Sequence, residues 1–381
     1  MEEQDLTGLR VVYFVTEKWY FDSHRRELAL TLSQSGAEVS VGCKLGGDSV
    51  DDEAIRYFEF PFKRTLQNPL SELLNCLRLW RKVRDLKPDI VHLVALKPII
   101  TSGIAAWLLP NIRFVQAFAG LGYLFSSEQT KAKALQLILR MILRFTLAPR
   151  NVSVLLQNQD DRAKMLELGL VRSEKIALIP GSGIDCTKYE AEEPLAPREE
   201  VIVMFAGRII RDKGILEYIE AAKLVKKSNA GCRFQVFGQL DPDNPAALGR
   251  EVMDQAVQEG SIEWYENERT LAGFYANADI VCLPSYREGL PKVLLEAAAS
   301  GKPMIATDVP GCREICRQDQ TGLLVPARNF RALAAALQGL IRNERLRKEL
   351  GQNARRLVQR EFSLPLIAYQ TGRYYRGLLE S

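Results

Sequence analysis

The chain has 381 residues, of which 47% are hydrophobic and 26% charged, and its formal net charge is +4. This length suits two domains of roughly 150–200 residues, and the composition excludes long disorder. No stretch approaches the ~18 uninterrupted apolar residues of a membrane-spanning helix. The acidic start, MEEQDLTGL, differs from the basic start of a signal peptide, and the seven cysteines are scattered without a C-x-x-C pair. We therefore expect reduced thiols in the cytoplasm, with neither export nor a structural metal.

Apolar runs alternate with helical patterns along the whole chain. The first series of predicted buried strands is 9–16, 38–44, 88–96, 112–120, 152–158 and 175–180. A segment rich in proline and glutamate, 189–200, interrupts the pattern, and the second series is 201–208, 232–239, 262–266, 278–285 and 302–308. Such alternation predicts an α/β protein of two doubly wound, Rossmann-like domains, 1–188 and 189–363, facing across a cleft where ligands bind. Residues 364–381 are predicted to form a helix that packs back on the first domain.

Positive charge is concentrated in one part of the chain. Residues 61–150 carry 14 Lys and Arg against 4 Asp and Glu, mostly in two segments of helical period, 69–89 and 130–150. The second segment has an apolar surface flanked by basic residues: Lys131, Lys133, Arg140, Arg144 and Arg150. A basic amphipathic helix of this kind suits an anionic membrane surface, and a buried helix with a solvated basic rim is the alternative. Nucleic acid is not expected as a partner, because the basic segments lack interleaved aromatic residues and a known binding motif.

The two domains differ in the segment after their first strand. In the first domain the strand runs into TEKWYFDSHRRELAL without a G-x-G-x-x-G motif, so a nicotinamide cofactor is not expected. The second domain opens with VIVMFAGR, IIRDKG and a helical pattern. Gly207 permits a ligand to approach the backbone, and Arg208 and Lys213 can converge on one anion such as a diphosphate. The alternative for this pair is an ordinary solvated surface.

A second motif, PSYREGLPKVLLEAAASGKP, places two carboxylates around the start of a helix. Pro291 suits the first helical turn, so Glu288 lies on the loop before the helix and Glu296 in its second turn. Eight helical residues span about 12 Å, which is too far for an acid/base pair and suits the two ends of an elongated ligand. The alternative is that Glu288 caps the helix and Glu296 is merely exposed.

These two motifs, with TGLLVP after them, closely resemble the second domain of the retaining GT-B glycosyltransferases of family GT4. The N-terminal half resembles the bacterial polysaccharide and glycan branch of that family, in three segments that are similar to its acceptor side: VTEKWYFDSHRRELAL, PDIVHLVALKP and AGLGYLF. The resemblance implies transfer, with retention, of a hexose or N-acetylhexosamine from a UDP-sugar to a lipid-diphosphate-linked saccharide in surface glycan assembly. It also implies a cytoplasmic enzyme held peripherally on the inner face of the membrane.

The resemblance further implies roles for individual residues. Arg208 and Lys213 would hold the donor diphosphate, Glu288 the hexose hydroxyls and Glu296 the ribose hydroxyls. The remaining donor contacts would be Gly207 and the backbone N–H groups of Gly289, Leu290 and Lys292. On the acceptor side the further candidates are Arg25, Gly120 and Tyr123. Two more follow from their position after strands: His24, expected in the loop after the first strand, and Lys97 for an acceptor phosphate. His24 could contact acceptor or donor, and the alternative for it is a plain surface or structural role. His92, inside an apolar strand, is expected in the core.

No catalytic metal or other cofactor is expected, because the resemblance implies that Arg208 and Lys213 replace a cation. LDPDNP (240–245) contains the Asp-x-Asp signature of a different, metal-dependent glycosyltransferase fold, but its prolines favour a turn. Two alternatives stay open: a GT-B nucleotide-sugar epimerase and a non-catalytic nucleotide-sugar-binding protein. The donor sugar, the linkage and the oligomeric state are not indicated.

Overall fold

The computed structural model describes residues 5–46, 52–62, 69–121, 130–189, 200–228, 231–266 and 271–380, with only the backbone at 69 and 130–135. The chain divides into two compact units. One consists of Met1–Gly183 and Leu364–Ser381, and the other of Ile184–Ser363. Each unit is built on a parallel sheet with helices, which confirms the predicted fold class of doubly wound α/β domains.

Within the described residues, the first unit has a sheet of seven parallel strands. In chain order they are β1 (Arg10–Glu17), β2 (Glu38–Lys44), β3 (Ile55–Glu59), β4 (Ile90–Val94), β5 (Arg113–Ala117), β6 (Val152–Leu156) and β7 (Ile176–Leu178). The spatial order is β3-β2-β1-β4-β5-β6-β7. The chain therefore moves outward from β1 in one direction and then returns to β4 to move outward in the other.

The helices of this unit cover both faces of the sheet. They are α1 (Lys18–His24), α2 (Arg26–Gln34), α3 (Pro69–Leu86), α4 (Leu96–Leu108), α5 (Thr130–Leu147), α6 (Gln159–Glu167) and the C-terminal α14 (Leu364–Glu380). One buried apolar cluster joins the sheet to α2 and α14, and another joins it to α3, α4 and α5. Because helices cover both faces of the sheet, the side chains on both faces of a strand are buried, and the strand sequences are therefore continuous apolar runs.

The second unit repeats the plan with six parallel strands among its described residues. They are β8 (Val201–Ala206), β9 (Cys232–Phe237), β10 (Glu263–Tyr265), β11 (Ile280–Leu283), β12 (Met304–Thr307) and β13 (Gly322–Val325), in the spatial order β10-β9-β8-β11-β12-β13. The helices are α7 (Ile215–Ser228), α8 (Arg250–Gln258), α9 (Ala272–Asn277), α10 (Lys292–Ala299), α11 (Cys312–Ile315), α12 (Phe330–Arg342) and α13 (Glu344–Glu361). Here the direction changes between β8 and β11.

Two strands, β3 and β13, are absent from the sequence prediction. Both are edge strands, and β3 has only one buried residue, Ile55, among its five. An edge strand is covered on fewer sides than a central one, so its sequence lacks the long apolar run that marks a buried strand.

A buried polar cluster ties α14 to the first sheet. The Tyr375 hydroxyl of α14 lies 3.0 Å from the Tyr13 hydroxyl of β1 and 2.5 Å from Nδ1 of His92 in β4. All three side chains are fully buried, and Nε2 of His92 has no hydrogen-bond partner. His92 therefore lies in the core, as expected from its apolar strand, but only one of its ring nitrogens is satisfied.

The helices of the described residues are too short or too polar to span a membrane. None of them is both long enough and apolar enough to cross a bilayer.

Candidate functional site

The change of direction between β8 and β11 brings two loops of the second unit together. The loop after β8 contains a 3-10 turn, Arg211–Lys213, and the loop after β11 runs from Pro284 to the start of α10. The backbone N–H of Tyr286 donates to the carbonyl of Asp212 at 2.8 Å and joins the two loops. In doubly wound sheets this is where the carboxyl ends of neighbouring strands diverge and ligands bind.

Two glycines permit a close approach to the loop after β11, one from the loop after β8 and one from the loop after β12. Gly214 has φ 72°, and a Cβ there would lie 2.0 Å from the carbonyl oxygen of Pro284. Gly311 has φ 78°, and a Cβ there would lie 2.4 Å from the carbonyl oxygen of Gly289. Both positions therefore exclude any other residue unless the backbone moves. Gly311 was not predicted as part of the site, although its Pro-Gly dipeptide is a recognisable turn signal.

Lys213 and Glu288 form an ion pair across the two loops. Their Nζ and Oε1 atoms are 2.5 Å apart, and the side chains are 21% and 11% exposed. Glu288 therefore contacts Lys213, and no side chain caps α10. Pro291 is the N-cap residue and the helix begins at Lys292, one residue later than predicted, because Pro291 has extended backbone angles. The uncapped first turn of α10 and the ammonium group offer positive charge on the same side of the sheet.

Arg208 has a different partner. Its Nη1 donates to Oδ2 of Asp241 at 2.7 Å, so the first carboxylate of the Asp-x-Asp segment holds a guanidinium. The predicted turn is present there, since the N–H of Asn244 donates to the carbonyl of Asp241 at 3.0 Å. Because Arg208 and Lys213 each hold a separate carboxylate, their convergence on one anion stays a prediction.

Glu296 is buried, so the alternative that it is merely exposed is wrong. Its Oε2 accepts from the Tyr275 hydroxyl at 2.8 Å, and its Oε1 accepts from the Tyr189 hydroxyl at 2.9 Å. Oε1 also forms an ion pair with Nζ of Lys292 at 3.2 Å. Burial first, and then the Glu296 carboxylate, raises the pKa of Tyr275 well above its usual value. Tyr275 is therefore a proton donor at neutral pH. Neither tyrosine was predicted, because no local pattern links α9 or residue 189 to α10.

The predicted backbone donors belong to the same two loops. Gly289 is buried and Leu290 half-buried, and both precede the N-cap of α10. Gly207 comes directly after β8, and its N–H donates to the carbonyl of Phe237 at 2.9 Å. The predicted donor residues therefore fall in two segments at the change of strand direction: 207–213 after β8 and 288–292 after β11.

The acceptor-side candidates lie in the first unit. His24 is not in a loop: it ends α1, and its ring stacks on Tyr20 with centroids 4.5 Å apart. The reason is that the strand leads directly into a helix, which starts at Lys18. Arg25 is only 4% exposed, its Nη1 donates to the carbonyl of Gly181 at 3.4 Å, and its Nε has no hydrogen-bond partner.

The other candidates come after the next strands of the first sheet. Lys97 is in the first turn of α4, after β4, and its ammonium group pairs with Glu72 of α3. Gly120 lies beyond the end of β5 and has φ 122°. Tyr123 lies outside the described residues. The structure therefore places His24, Arg25 and Lys97 after β1 and β4, the two strands at which this sheet changes direction.

Two family models match the chain. The model described as "Glycosyl transferase 4-like" matches residues 10–158, and the model described as "Glycosyl transferases group 1" matches residues 188–357. The second match includes the loops that carry Lys213 and Glu288.

Two curated relatives align with most of the chain. The N,N'-diacetylbacillosaminyl-diphospho-undecaprenol alpha-1,3-N-acetylgalactosaminyltransferase of Campylobacter jejuni is 28% identical over 319 residues, which are 80% of this chain and 81% of that protein. The UDP-Gal:alpha-D-GlcNAc-diphosphoundecaprenol alpha-1,3-galactosyltransferase of Escherichia coli is 24% identical over 348 residues, 86% of each chain. Among solved structures, sucrose-phosphate synthase from Thermosynechococcus elongatus has a similar fold, with a TM-score of 0.81 and 22% identity over 98% of this chain and 99% of that one.

Proposed function

We propose a donor, an acceptor and a membrane surface for this chain, which belongs to the glycosyltransferases of the group 1 and 4-like families and has their GT-B fold. The donor is a UDP-linked hexose or N-acetylhexosamine. The acceptor is a saccharide joined through diphosphate to a membrane lipid, in the assembly of a bacterial surface glycan. Support for this choice comes from the two relatives, whose names specify diphospho-undecaprenol-linked acceptors and, in one case, UDP-Gal.

The observation that carries the proposal is the Lys213–Glu288 pair beside the uncapped start of α10. Cleavage of the bond between sugar and diphosphate leaves additional negative charge on the departing UDP. A fixed ammonium group and the N–H groups of a helix start stabilise that charge as it develops. Glu288, held at the same place, is positioned to accept hydrogen bonds from hexose hydroxyls.

Two further groups complete the proposed donor site. Arg208 would exchange Asp241 for a phosphate oxygen, to which a guanidinium binds in bidentate fashion. Glu296 would bind the ribose hydroxyls, in place of the tyrosine hydroxyl that donates from residue 189. With two cations on the diphosphate we propose that no metal is needed and that the transferred sugar keeps its anomeric configuration.

A turnover assay tests this function. The protein is incubated with a panel of UDP-sugars and a short-chain lipid diphosphate carrying one sugar, and the product is identified by mass and by the coupling constant of its new anomeric proton. We expect a heavier acceptor with a retained configuration, formed equally well in excess chelator. Consumption of UDP-sugar without a glycosylated product would contradict transfer, and activity lost in chelator and restored by Mg²⁺ or Mn²⁺ would contradict the metal-free mechanism.

The proposed membrane surface is an exposed apolar face formed by α4 and α5, which we call the α4–α5 face. Its side chains are between 38% and 60% exposed: Trp107, Leu108, Leu137, Ile138, Met141, Ile142 and Phe145. A contiguous group of large apolar side chains on a surface marks an interaction site. Trp107 is an amphipathic aromatic of the kind found at the membrane–water boundary.

The α4–α5 face is held rigidly by its surroundings. Trp107 stacks on Phe145 with ring centroids 5.7 Å apart, and its Nε1 donates to the Phe145 carbonyl at 3.1 Å. The end of α5 is fixed by Nζ of Lys175, which donates to the carbonyls of Leu147, Ala148 and Pro149. Arg150 is exposed just beyond the helix and supplies positive charge beside the face. The predicted basic side chains Lys131 and Lys133 lie outside the described side chains.

Vesicle pelleting tests this surface. We expect binding to vesicles that contain phosphatidylglycerol, and loss of that binding in an Ile138→Glu, Met141→Glu variant, because both side chains are exposed and a carboxylate is repelled by the surface. Val257→Glu, at an exposed apolar position on α8 of the other unit, is the matched control and should bind normally. Equal binding of all three proteins would reject the α4–α5 face as the membrane contact.

A further inference from the structure

The segment that follows β5 in the first unit is held to its neighbours at two points. The backbone N–H of Phe118 donates to the carbonyl of Leu155 in β6 at 3.0 Å. The backbone N–H of Leu121 donates to Oδ1 of Asp161 in α6 at 3.4 Å. Gly120, one of the predicted acceptor-side residues, directly precedes Leu121. A side chain of α6 therefore fixes the backbone next to Gly120.

The carboxylate of Asp161 reaches beyond its own helix. Asn158 is the N-cap residue of α6, and its Oδ1 accepts from the backbone N–H of Asp161 at 2.7 Å. Its Nδ2 donates to Oδ2 of Asp161 at 3.0 Å. A carboxylate three residues after an N-cap commonly serves the start of its own helix. In this chain its other oxygen, Oδ1, also serves Leu121 and so joins α6 to the loop after β5.

Asp161 is a buried acid without a cation beside it. The residue is only 7% exposed, and burial raises its pKa, whereas the hydrogen bonds from Asn158 and Leu121 act in the opposite direction. Within the described part of the chain, neither a lysine nor an arginine forms an ion pair with it. A charge is costly to bury when no opposite charge is near. Acids kept in such surroundings are frequent at functional sites.

This hold on the loop lies at the edge of the sheet that carries the other acceptor-side candidates. The strands β4, β5 and β6 are neighbours, and they are followed in turn by Lys97, Gly120 and Asp161. The N–H of Ala95 donates to the carbonyl of Ala117 at 3.0 Å and joins the ends of β4 and β5. Ligands of doubly wound sheets bind outside the carboxyl ends of the strands. The three residues therefore follow adjacent strands at the edge where a ligand of this unit is expected.

We propose that Asp161 is a positioning residue for the acceptor saccharide, which approaches the backbone of Gly120. The inference rests on the proposed function, since it assumes that the first unit takes the acceptor. Gly120 has no side chain, and its φ of 122° is a conformation that favours glycine, so a ligand can come close to its backbone. A loop that is already fixed binds a ligand without a further cost of ordering. Loss of the carboxylate should therefore weaken the acceptor and leave the donor, which the second unit binds, unaffected.

Kinetics of two substitutions at one position test the assignment. We expect Asp161→Ala to raise KM for the acceptor about tenfold, because the hydrogen bond to Leu121 is lost. Asp161→Asn keeps an oxygen that can accept from Leu121, and it should raise this KM by less than about threefold. KM for the UDP-sugar should not change in either variant. Asp160→Ala is the matched control: it removes an exposed carboxylate from the same helical turn and should leave both KM values unchanged.

Amide hydrogen exchange of residues 118–121 reports directly on the loop. Exchange should be faster in Asp161→Ala and unchanged in Asp160→Ala. Unchanged exchange in Asp161→Ala, or a KM that rises equally for donor and acceptor, would overturn the positioning role. Equal losses of turnover in the alanine and asparagine variants would show that the charge of Asp161 acts on the acceptor itself, and the proposal would then be wrong.

The outcomes separate this inference from the proposed function. If the wild-type protein glycosylates no acceptor, the proposed function fails, and calorimetry with a short-chain lipid diphosphate that carries one sugar still tests Asp161. Binding that is weaker in Asp161→Ala and largely restored in Asp161→Asn supports the inference. Equal binding to all three proteins, or binding to none of them, contradicts it. Normal turnover by the wild-type protein with an unchanged acceptor KM in Asp161→Ala rejects the inference alone.

Discussion

The ammonium group of Lys213 lies 2.5 Å from Oε1 of Glu288, although the two residues are 75 positions apart in the chain. They meet because β8 and β11 are neighbours in the second sheet and each leads into a short loop. An ion pair that is mostly removed from water is a strong constraint on both loops.

Lys213→Met should lower kcat by roughly 10²–10³, because one preorganised positive group is lost from the leaving diphosphate. It should also lower Tm, since Glu288 is then left 11% exposed without its counter-charge. The double variant Lys213→Met, Glu288→Gln should recover Tm but not kcat. Arg233→Met, Glu263→Gln removes another ion pair of the same unit and is the control for kcat. A double variant that regains activity would show that Lys213 only stabilises the fold.

Tyr275→Phe should weaken both stability and donor binding. The hydroxyl donates to Glu296, which is 8% exposed, and an unsatisfied buried acceptor costs about 1–3 kcal/mol. We expect a lower urea midpoint together with a higher KM for the UDP-sugar. Tyr218→Phe is the control, because its buried hydroxyl donates to the carbonyl of Val203 and has no contact with Glu296. If both variants shift KM equally, the effect is one of stability alone.

Gly311→Ala should lower kcat/KM as well as stability, whereas backbone strain alone should lower only stability. A Cβ at this position meets the carbonyl oxygen of Gly289 at 2.4 Å, so the loop that carries Glu288 must move. Gly260→Ala provides the comparison, since Gly260 has φ 69° and nothing within 4 Å of a Cβ. Both variants should lose roughly 1–2 kcal/mol through the left-handed backbone, and only Gly311→Ala should also lower kcat/KM. Parallel losses in the two proteins would contradict a role of Gly311 in positioning Glu288.

His92 should make the protein less stable as the pH falls from 7 to 5.5. Burial, and then the charge of Arg25, lowers the pKa of His92 well below its usual value in the folded protein. In the unfolded chain its pKa is about 6.5, so below that pH the unfolded state binds a proton that the folded state does not. The free energy of unfolding should therefore fall by up to about 1.4 kcal/mol per pH unit. Urea unfolding measures this, and a titration curve without that slope would be contrary to the prediction.

A substitution of His92 tests whether this residue is the source of the pH dependence. His92→Gln should remove most of the slope between pH 7 and 5.5, because the buried imidazole that resists protonation is then absent.

The sequence by itself determined the fold class and the position of the central strands. Strands such as β2, predicted at 38–44 and found at Glu38–Lys44, are covered on both faces and therefore appear as apolar runs with clear ends. The two loops with Lys213 and Glu288 were likewise evident, because glycine, proline and charge come directly after predicted strands.

Only the tertiary structure decided which side chains meet. The pairing of Arg208 with Asp241, of Glu296 with Tyr275 and of Lys97 with Glu72 joins elements that share no local pattern. Such contacts depend on the order of strands in the sheet and on the packing of helices, which the crossover connections set. Periodicity along the chain reports how each element is buried, but not which element lies beside it, and that is why the partners of the predicted residues became known only from the fold.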